Sequence, residues 1–295
     1  MVDAIGFHCN ACGKCCNSPP AMSIPELFRH RRRFIGSLAV GQARRLAAGS
    51  RIGDGAGSRV LDADDAQALA ALQDALLHPS AASGRVLTLV TQAVDYPSLA
   101  RCPALAQDGG CTLHGEDKPR MCSVVPLDPL LPDRLQDSVL RNRRAAAAWT
   151  GTSCIQPGAQ APYRPLVRQQ RVVDPGFGRD LQERRSDMAG DKTRWGRAVA
   201  TMLEKELRQG GAPALRDEAA LLLPLVPVLA VLAAEGEAMR AECIDYIDCQ
   251  QSLIEAAIGR ALARRQSADR ATTAQLRGFA QAYARQRVLL AGAAA

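Results

Sequence analysis

The chain has 295 residues, of which 47% are hydrophobic and 4% aromatic, and a formal net charge of +7. A chain of this length and composition can bury a sizeable core, which argues against a small scaffold held together by disulfides. The scarcity of aromatic residues and the lack of a recognisable binding motif argue against a nucleic-acid partner, despite the basic charge.

A dense cysteine cluster, FHCNACGKCC, occupies residues 7–16. Its members Cys9, Cys12, Cys15 and Cys16 form the pattern CxxCxxCC, and four thiols this close cannot pair as disulfides without severe strain. The same spacing suits thiolates that converge on a soft metal ion or an iron–sulfur cluster. The sequence therefore predicts a metal-binding protein.

Mostly helical patterns follow the cluster. A capping box at residues 23–26 predicts a helix that runs on towards Ala48. Several glycines within 49–58 indicate a flexible loop, and residues 62–77 predict an amphipathic helix with an acidic cap. The alternating segment 86–94 is rich in β-branched residues and predicts a strand.

A second group of cysteines lies in loops punctuated by glycine and proline, and consists of Cys102, Cys111 and Cys122, followed by Cys154. Such loops let a backbone bend around an ion. A helix predicted over residues 134–149 leads towards the last of these cysteines.

Four prolines between residues 155 and 175 indicate a linker, which we place at 156–178. Beyond it the spacing of apolar residues predicts four helices with short connections, which favours a bundle; the four helices are 179–208, 214–234, 237–264 and 268–290. The predicted fold is therefore mainly α with a small β element. A cysteine-rich metal-binding domain (1–155) is followed by a helical bundle region (179–295).

The longest apolar run, residues 219–234, is shorter than the ~20 residues that span a bilayer and contains Pro224 and Pro227. We expect a buried, kinked helix there and no membrane span. Residues 1–8 lack the basic and apolar regions of a secretory signal. Ten cysteines in such a chain indicate a reducing compartment, so we expect a cytoplasmic protein.

At its cysteines the chain resembles the bacterial CxxCxxCC cysteine-cluster family (YkgJ-like), which is described as zinc- or iron-chelating. Phe7 precedes the cluster, and CPAL at 102–105 and CTLH at 111–114 are similar to the family's next two elements. The last element, KPRMCSVVP at 118–126, departs from the family's RPxxCRxFP pattern but keeps its cysteine. The family includes proteins similar to flagellin lysine N-methylases, so the resemblance also implies a protein lysine N-methylase that uses S-adenosylmethionine.

The predicted metal ligands are the eight cysteines of the two groups: Cys9, Cys12, Cys15, Cys16, Cys102, Cys111, Cys122 and Cys154. Adjacent side chains leave a backbone in different directions, so we expect Cys15 and Cys16 to serve two metal centres or one multinuclear centre. Three cysteines at i, i+3 and i+6 favour an iron–sulfur cluster, with zinc as the other candidate. His8 and His114 are alternative ligands.

Cys243 and Cys249, six residues apart on a predicted helix, are interpreted as buried thiols rather than ligands. No nucleophile–base motif or phosphate-binding loop accompanies the cysteines.

The leading hypothesis is a cytoplasmic metal-binding protein in redox or metal handling. The alternatives are the lysine N-methylase and a module in which metal stabilises the fold while the helical half binds an unknown protein partner.

Overall fold

The structure, a computed structural model, describes residues 4–10, 13–80, 84–114, 117–146, 153–158, 160–208 and 220–292. The strands in this part are β1 (Ala4–Phe7), β2 (Ile35–Arg44), β3 (Arg51–Ile52), β4 (Arg59–Val60), β5 (His78–Pro79), β6 (Arg85–Val94), β7 (Ile155–Pro157), β8 (Arg164–Arg168), β9 (Arg171–Val172) and β10 (Leu221–Leu223). The α-helices there are α1 (Ile24–Arg29), α2 (Ala63–Leu76), α3 (Arg120–Val124), α4 (Gln136–Ala145), α5 (Pro175–Asp191), α6 (Arg197–Arg208), α7 (Val226–Ala233), α8 (Glu237–Arg264) and α9 (Arg270–Gly292).

The predicted fold class is wrong. The described part of the chain is about 53% helix and 18% strand, which makes it a mixed α/β fold rather than a mainly α fold with a small β element. A cysteine-rich N-terminal region followed by a bundle is also wrong, because strands pair between segments that are far apart in the sequence. β1 pairs with β7 and β8, and β2 pairs with β10.

The chain forms two compact units, each assembled from three segments. Unit 1 comprises Met1–Asn17, Arg44–Val86 and Ala104–Gly190, and unit 2 comprises Ser18–Ala43, Leu87–Pro103 and Asp191–Ala295. These units do not follow the sequence order of the predicted regions 1–155, 156–178 and 179–295.

Unit 1 contains a sheet in the order β7-β1-β8-β9. β1 is central and antiparallel to both neighbours, with Phe7 opposite Ile155 on β7. The register against β8 shifts between Ile5 and Gly6, and Pro165 lies opposite Gly6 at that irregularity. A proline is tolerated there because a bulge does not need its missing N–H.

α5 covers the core of unit 1 through Leu181, which is fully buried. The core around it joins residues of the sheet to side chains from α3, α4 and the loops beside them; its members are Ile5, Val124, Leu127, Leu140, Cys154, Ile155, Leu166, Val167 and Leu181. Phe177 extends this contact, since its ring meets that of Phe7 edge to face at 5.5 Å. The core therefore lies directly beneath the strand that leads into the cysteine cluster.

Unit 2 is built from a sheet and long helices. β2 lies between β10 and β6, with Leu221 of β10 opposite Val40. α8 and α9 contact each other and α7, burying Leu229 and Ile254 among other apolar side chains. Gln250 of α8 is fully buried. It accepts a hydrogen bond from the Gly36 N–H (2.8 Å) and donates to two backbone carbonyls, those of Arg31 and Phe34.

Several predicted elements are confirmed with small shifts of their ends, among them the helix at 237–264, the helix at 62–77 and the strand at 86–94. The helix predicted to run to Ala48 is wrong, because α1 ends at Arg29 and β2 follows. Seven consecutive residues from Ile35 are buried, so the strand shows no alternation that a sequence pattern could reveal.

The predicted helix at 214–234 is wrong in part. Residues 214–219 lie outside the described residues, 221–223 form a strand, and helix resumes only at Val226. The predicted linker 156–178 holds β8, β9 and the start of α5. None of the helices in the described part of the chain is long and apolar enough to cross a bilayer.

Gly36 is the position in β2 where a side chain is least tolerable. A β-carbon there would overlap the Tyr246 hydroxyl and lie 3.0 Å from a methyl carbon of Leu225. The Tyr246 ring is fixed by stacking on Phe28 at 4.8 Å between centroids. Its hydroxyl is buried without a hydrogen-bond partner, so removing that hydroxyl breaks no hydrogen bond.

We expect Gly36→Ala to lower the free energy of unfolding by about 1–3 kcal/mol, because overpacking a core forces neighbours to move. The double variant Gly36→Ala/Tyr246→Phe should recover part of that loss, whereas Tyr246→Phe alone should cost little. Urea unfolding of the wild type and the three variants measures the coupling. Strictly additive losses would show that the tyrosine hydroxyl is not the obstacle.

Candidate metal centre

The first half of the cysteine cluster is tied to the loop before β7. The His8 N–H, directly after β1, donates to the carbonyl of Cys154 at 2.9 Å. Asn10 then bridges the same loop, since it accepts from the Cys154 thiol at 3.2 Å and donates to the Ser153 hydroxyl at 3.1 Å. Cys9 lies between these two contacts and is exposed. The structure thus brings Cys9 and Cys154 into one neighbourhood.

The second half of the cluster forms a tight turn. The Cys16 N–H donates to the Gly13 carbonyl at 2.9 Å, closing a single 3₁₀ turn over Lys14–Cys16. Gly13 adopts φ of 70°, a left-handed conformation that glycine reaches without steric cost. A β-carbon on Gly13 would be 3.5 Å from both methyl carbons of Leu105 and 3.8 Å from the Gly109 carbonyl. The turn therefore lies against the loop that carries Cys111.

That loop is a short hairpin. Leu105 pairs with Cys111 across an isolated β-bridge, and Thr112 donates to the Ala104 carbonyl through both its N–H (2.9 Å) and its hydroxyl (3.0 Å). Cys111 is half-buried, while His114 at the end of the loop is exposed. The hairpin presents its cysteine from the side that meets the cluster turn.

The Cys16 side chain affects the ionisation of Cys15. A hydrogen bond with it, followed by partial burial, raises the pKa of the Cys15 thiol. The Lys118 ammonium acts in the opposite direction and lowers that pKa. The expectation that the two cysteines serve two metal centres or one multinuclear centre stays a prediction.

Two cationic side chains lie near Cys15. Lys118 precedes α3, the helix that carries the half-buried Cys122. Arg143 of α4 donates to the Leu127 carbonyl at 3.3 Å; burial lowers its pKa, while Asp128 and Cys15 raise it. A thiolate at Cys15 would thus face positive charge from two elements of unit 1.

The contacts above do not place every predicted ligand. Cys12 lies outside the described residues, and Cys102, which is buried, belongs to unit 2. Among the residues that the structure describes, no group of three or more Cys, His, Asp or Glu side chains is arranged to hold a metal ion. The contacts above join the segment of Cys9 to that of Cys154, and the turn of Cys15 and Cys16 to the hairpin of Cys111. Shared coordination by the predicted eight stays a prediction.

The chemistry of unit 1 fits a thiolate-bound metal in two respects. The sulfur donors lie beside cations that can offset the excess negative charge of a metal held by several thiolates. One further cation, the buried Arg184 guanidinium, has two nitrogens without a hydrogen-bond partner. An enclosed cation with unused donors is suited to an anionic centre in the same core.

Sequence reasoning missed Asn10, Arg143 and Arg184. The sequence pattern gives no signal for Asn10 or Arg143, because their partners lie far away in the chain or beyond the helix that carries them. The burial of Arg184 could have been predicted from the sequence. Phe177, Leu181 and Arg184 follow helical spacing, which places the arginine on the apolar face of its helix.

Comparisons of this chain with protein-family models, with curated proteins and with solved structures find no match. Membership in the CxxCxxCC family therefore stays a prediction that depends on the quoted residues. The function proposed below depends on the cysteines and on the geometry of unit 1.

The left-handed conformation of Gly13 can be tested by substitution. We expect Gly13→Ala to lower the free energy of unfolding by about 1 kcal/mol, because an L side chain is strained at this φ. The neighbouring atoms leave room for a β-carbon, so the loss comes from backbone conformation. Gly13→Asn is the matched control and should lose less, since asparagine adopts this conformation more readily. Equal losses in urea unfolding would point to crowding instead.

Proposed function

We propose that the chain binds a metal ion or an iron–sulfur cluster through cysteine thiolates of unit 1. The observation that supports this best is the meeting of the Cys15–Cys16 turn with the Cys111 hairpin, with Lys118 and Arg143 beside Cys15. Cations next to a thiol favour its ionised form, which is the form that ligates metal. The raised pKa of Cys15 keeps that thiol protonated in the metal-free protein, so binding through it would release a proton and strengthen as the pH rises.

The ligands under this proposal come from the cluster, Cys9, Cys12, Cys15 and Cys16, together with the unit 1 cysteines downstream of it, Cys111, Cys122 and Cys154. An iron–sulfur cluster leads because the cluster spacing of two intervening residues, twice repeated, is that of ferredoxin-type ligands. Zinc is the other candidate, since it accepts four thiolates equally well. Bound iron–sulfur would supply electron transfer, and bound zinc would supply folding free energy.

Redox or metal handling in a reducing compartment is the role that we assign to this centre. A half-buried site whose sulfurs open partly to solvent is suited to exchange of electrons or metal with a partner. In the cytoplasm the thiols would remain reduced and available as ligands.

The deciding experiment is anaerobic purification followed by measurement of iron, zinc and acid-labile sulfide per chain. Iron with an equal amount of sulfide and a broad visible absorption band would assign an iron–sulfur cluster. Zinc without sulfide would assign a zinc site. A pure, folded protein that carries neither metal and takes up neither on anaerobic reconstitution would contradict the proposal.

Substitution separates ligands from structural thiols. We expect Cys12→Ser and Cys15→Ser to lose most of the bound metal, because each removes a thiolate from the cluster. Cys243→Ser is the matched control: Cys243 is fully buried in unit 2, where burial, followed by Glu242 and Glu235, raises its pKa to about 11. Its metal content should equal that of the wild type. Equal metal loss in all three variants would contradict the ligand assignment.

A further inference from the structure

Arg184 lies on the face of α5 that enters the core of unit 1. On a helix, residues 177, 181 and 184 fall on one side. Phe177 meets Phe7, the last residue of β1, and Leu181 belongs to the core that contains Cys154. Arg184 therefore continues, by one helical turn, the row of α5 side chains that cover the cysteine-bearing core.

The Arg184 side chain is buried, but its hydrogen-bonding capacity is not fully used. The residue is 3% exposed, and its Nε and Nη1 atoms are buried without a hydrogen-bond partner. A guanidinium keeps its charge at all physiological pH values, so it cannot relieve burial by losing a proton. Buried donors that lack an acceptor are destabilising. The two unused nitrogens of Arg184 are therefore available to an additional acceptor, for which an anionic centre in unit 1 is suited.

The next residue, Arg185, differs from Arg184 in this respect. Arg185 is also buried, yet it donates to the carbonyls of Pro129 (3.2 Å) and Leu131 (2.6 Å) and to the Asp133 carboxylate (2.7 Å).

Two acidic residues close to Arg184 on α5 form ion pairs with another arginine. Glu183 and Asp187 both form ion pairs with Arg120, two residues before Cys122. Arg120 thus fastens α5 to the helix that carries this cysteine, and it uses the carboxylates nearest to Arg184 along the chain.

We propose that Arg184 is a positioning residue whose guanidinium balances the negative charge of a thiolate–metal centre in unit 1. This inference rests on the function proposed above. Several thiolates carry more negative charge than a divalent ion neutralises, so the centre needs cationic partners within the protein. Lys118 and Arg143 lie near Cys15, and Arg184 supplies a third positive charge from the face of α5 that carries Leu181 into the core. Arg184 does not bind the metal. Its positive charge lowers the free-energy cost of burying the negatively charged centre.

The proposal predicts opposite effects of one substitution on the metal-free and the metal-bound protein. Arg184→Met keeps the apolar stem and removes the charge. Without metal, we expect the variant to be at least as stable as the wild type, because an unpaired buried charge is replaced by an apolar side chain. With metal, we expect at least about tenfold weaker binding, as is typical when a group that supports metal ligands is lost.

Two measurements test this: urea unfolding of the metal-free proteins, and competition for Zn²⁺ against a chromophoric chelator under anaerobic, reducing conditions. Arg185→Met is the matched control. It should destabilise the metal-free protein, because it leaves acceptors in the 129–133 loop without their donor, and it should change Zn²⁺ affinity less than Arg184→Met does. Arg184→Lys keeps a positive charge and should retain more Zn²⁺ affinity than Arg184→Met.

The possible failures are distinguishable. A wild type that binds neither Zn²⁺ nor iron–sulfur overturns the proposed function and this inference together. A wild type that binds metal and an Arg184→Met variant of equal affinity overturn only the role of Arg184. A metal-free Arg184→Met protein that is less stable or does not fold would overturn it as well, since the arginine would then be satisfied without metal. Stabilisation of the metal-free wild type by inorganic phosphate, lost in Arg184→Met, would instead assign the arginine to a small oxyanion.

Discussion

The antiparallel pairing of β1 with β7 is the constraint on which the candidate centre depends. β1 ends at Phe7, opposite Ile155, so the residues that follow one strand meet the residues that precede the other. Cys9 and Cys154 thereby become neighbours although about half of the chain separates them, and Asn10 adds hydrogen bonds to Ser153 and Cys154. The core beneath β1, which includes Leu181 of α5, stabilises that pairing. The position of the cluster thus follows from a sheet and not from the cysteines themselves.

Charge is the second organising feature of unit 1. Arg120 and Arg185 connect α5 to the segments around α3 through carboxylates and backbone carbonyls. Arg143, which is half-buried, donates to the Leu127 carbonyl and lies near Cys15. Arg184 is buried, and its Nε and Nη1 atoms have no hydrogen-bond partner. Burial of a cation stabilises the protein only where negative charge or hydrogen-bond acceptors offset its loss of hydration.

Sequence patterns predicted the elements correctly where the structure depends on residues that are near one another in the chain. The helix at 237–264 is bounded by glycine and by polar residues that mark its ends, and its bounds agree with α8. Patterns were insufficient where structure is set by pairing across long separations. The proline-rich segment after Cys154 looked like a linker, yet β8 accommodates Pro165 at the register shift opposite Gly6. β2 was hidden because both of its faces are buried. The cysteine cluster itself was visible in the sequence, whereas the cations around it come from segments that only the fold brings near.

The two kinds of cysteine in this chain differ in what prevents their ionisation. Burial is the main cause of the raised pKa of Cys243, followed by two nearby glutamates, and a cation entering unit 2 would still have to be desolvated. The main cause at Cys15 is a hydrogen bond with Cys16, which requires a thiol proton, and Lys118 already opposes it. A cation bound by both sulfurs would replace that thiol proton. Metal binding would therefore replace the hydrogen bond that keeps Cys15 neutral. The environment of each thiol, more than its exposure, therefore separates a candidate ligand from a core residue.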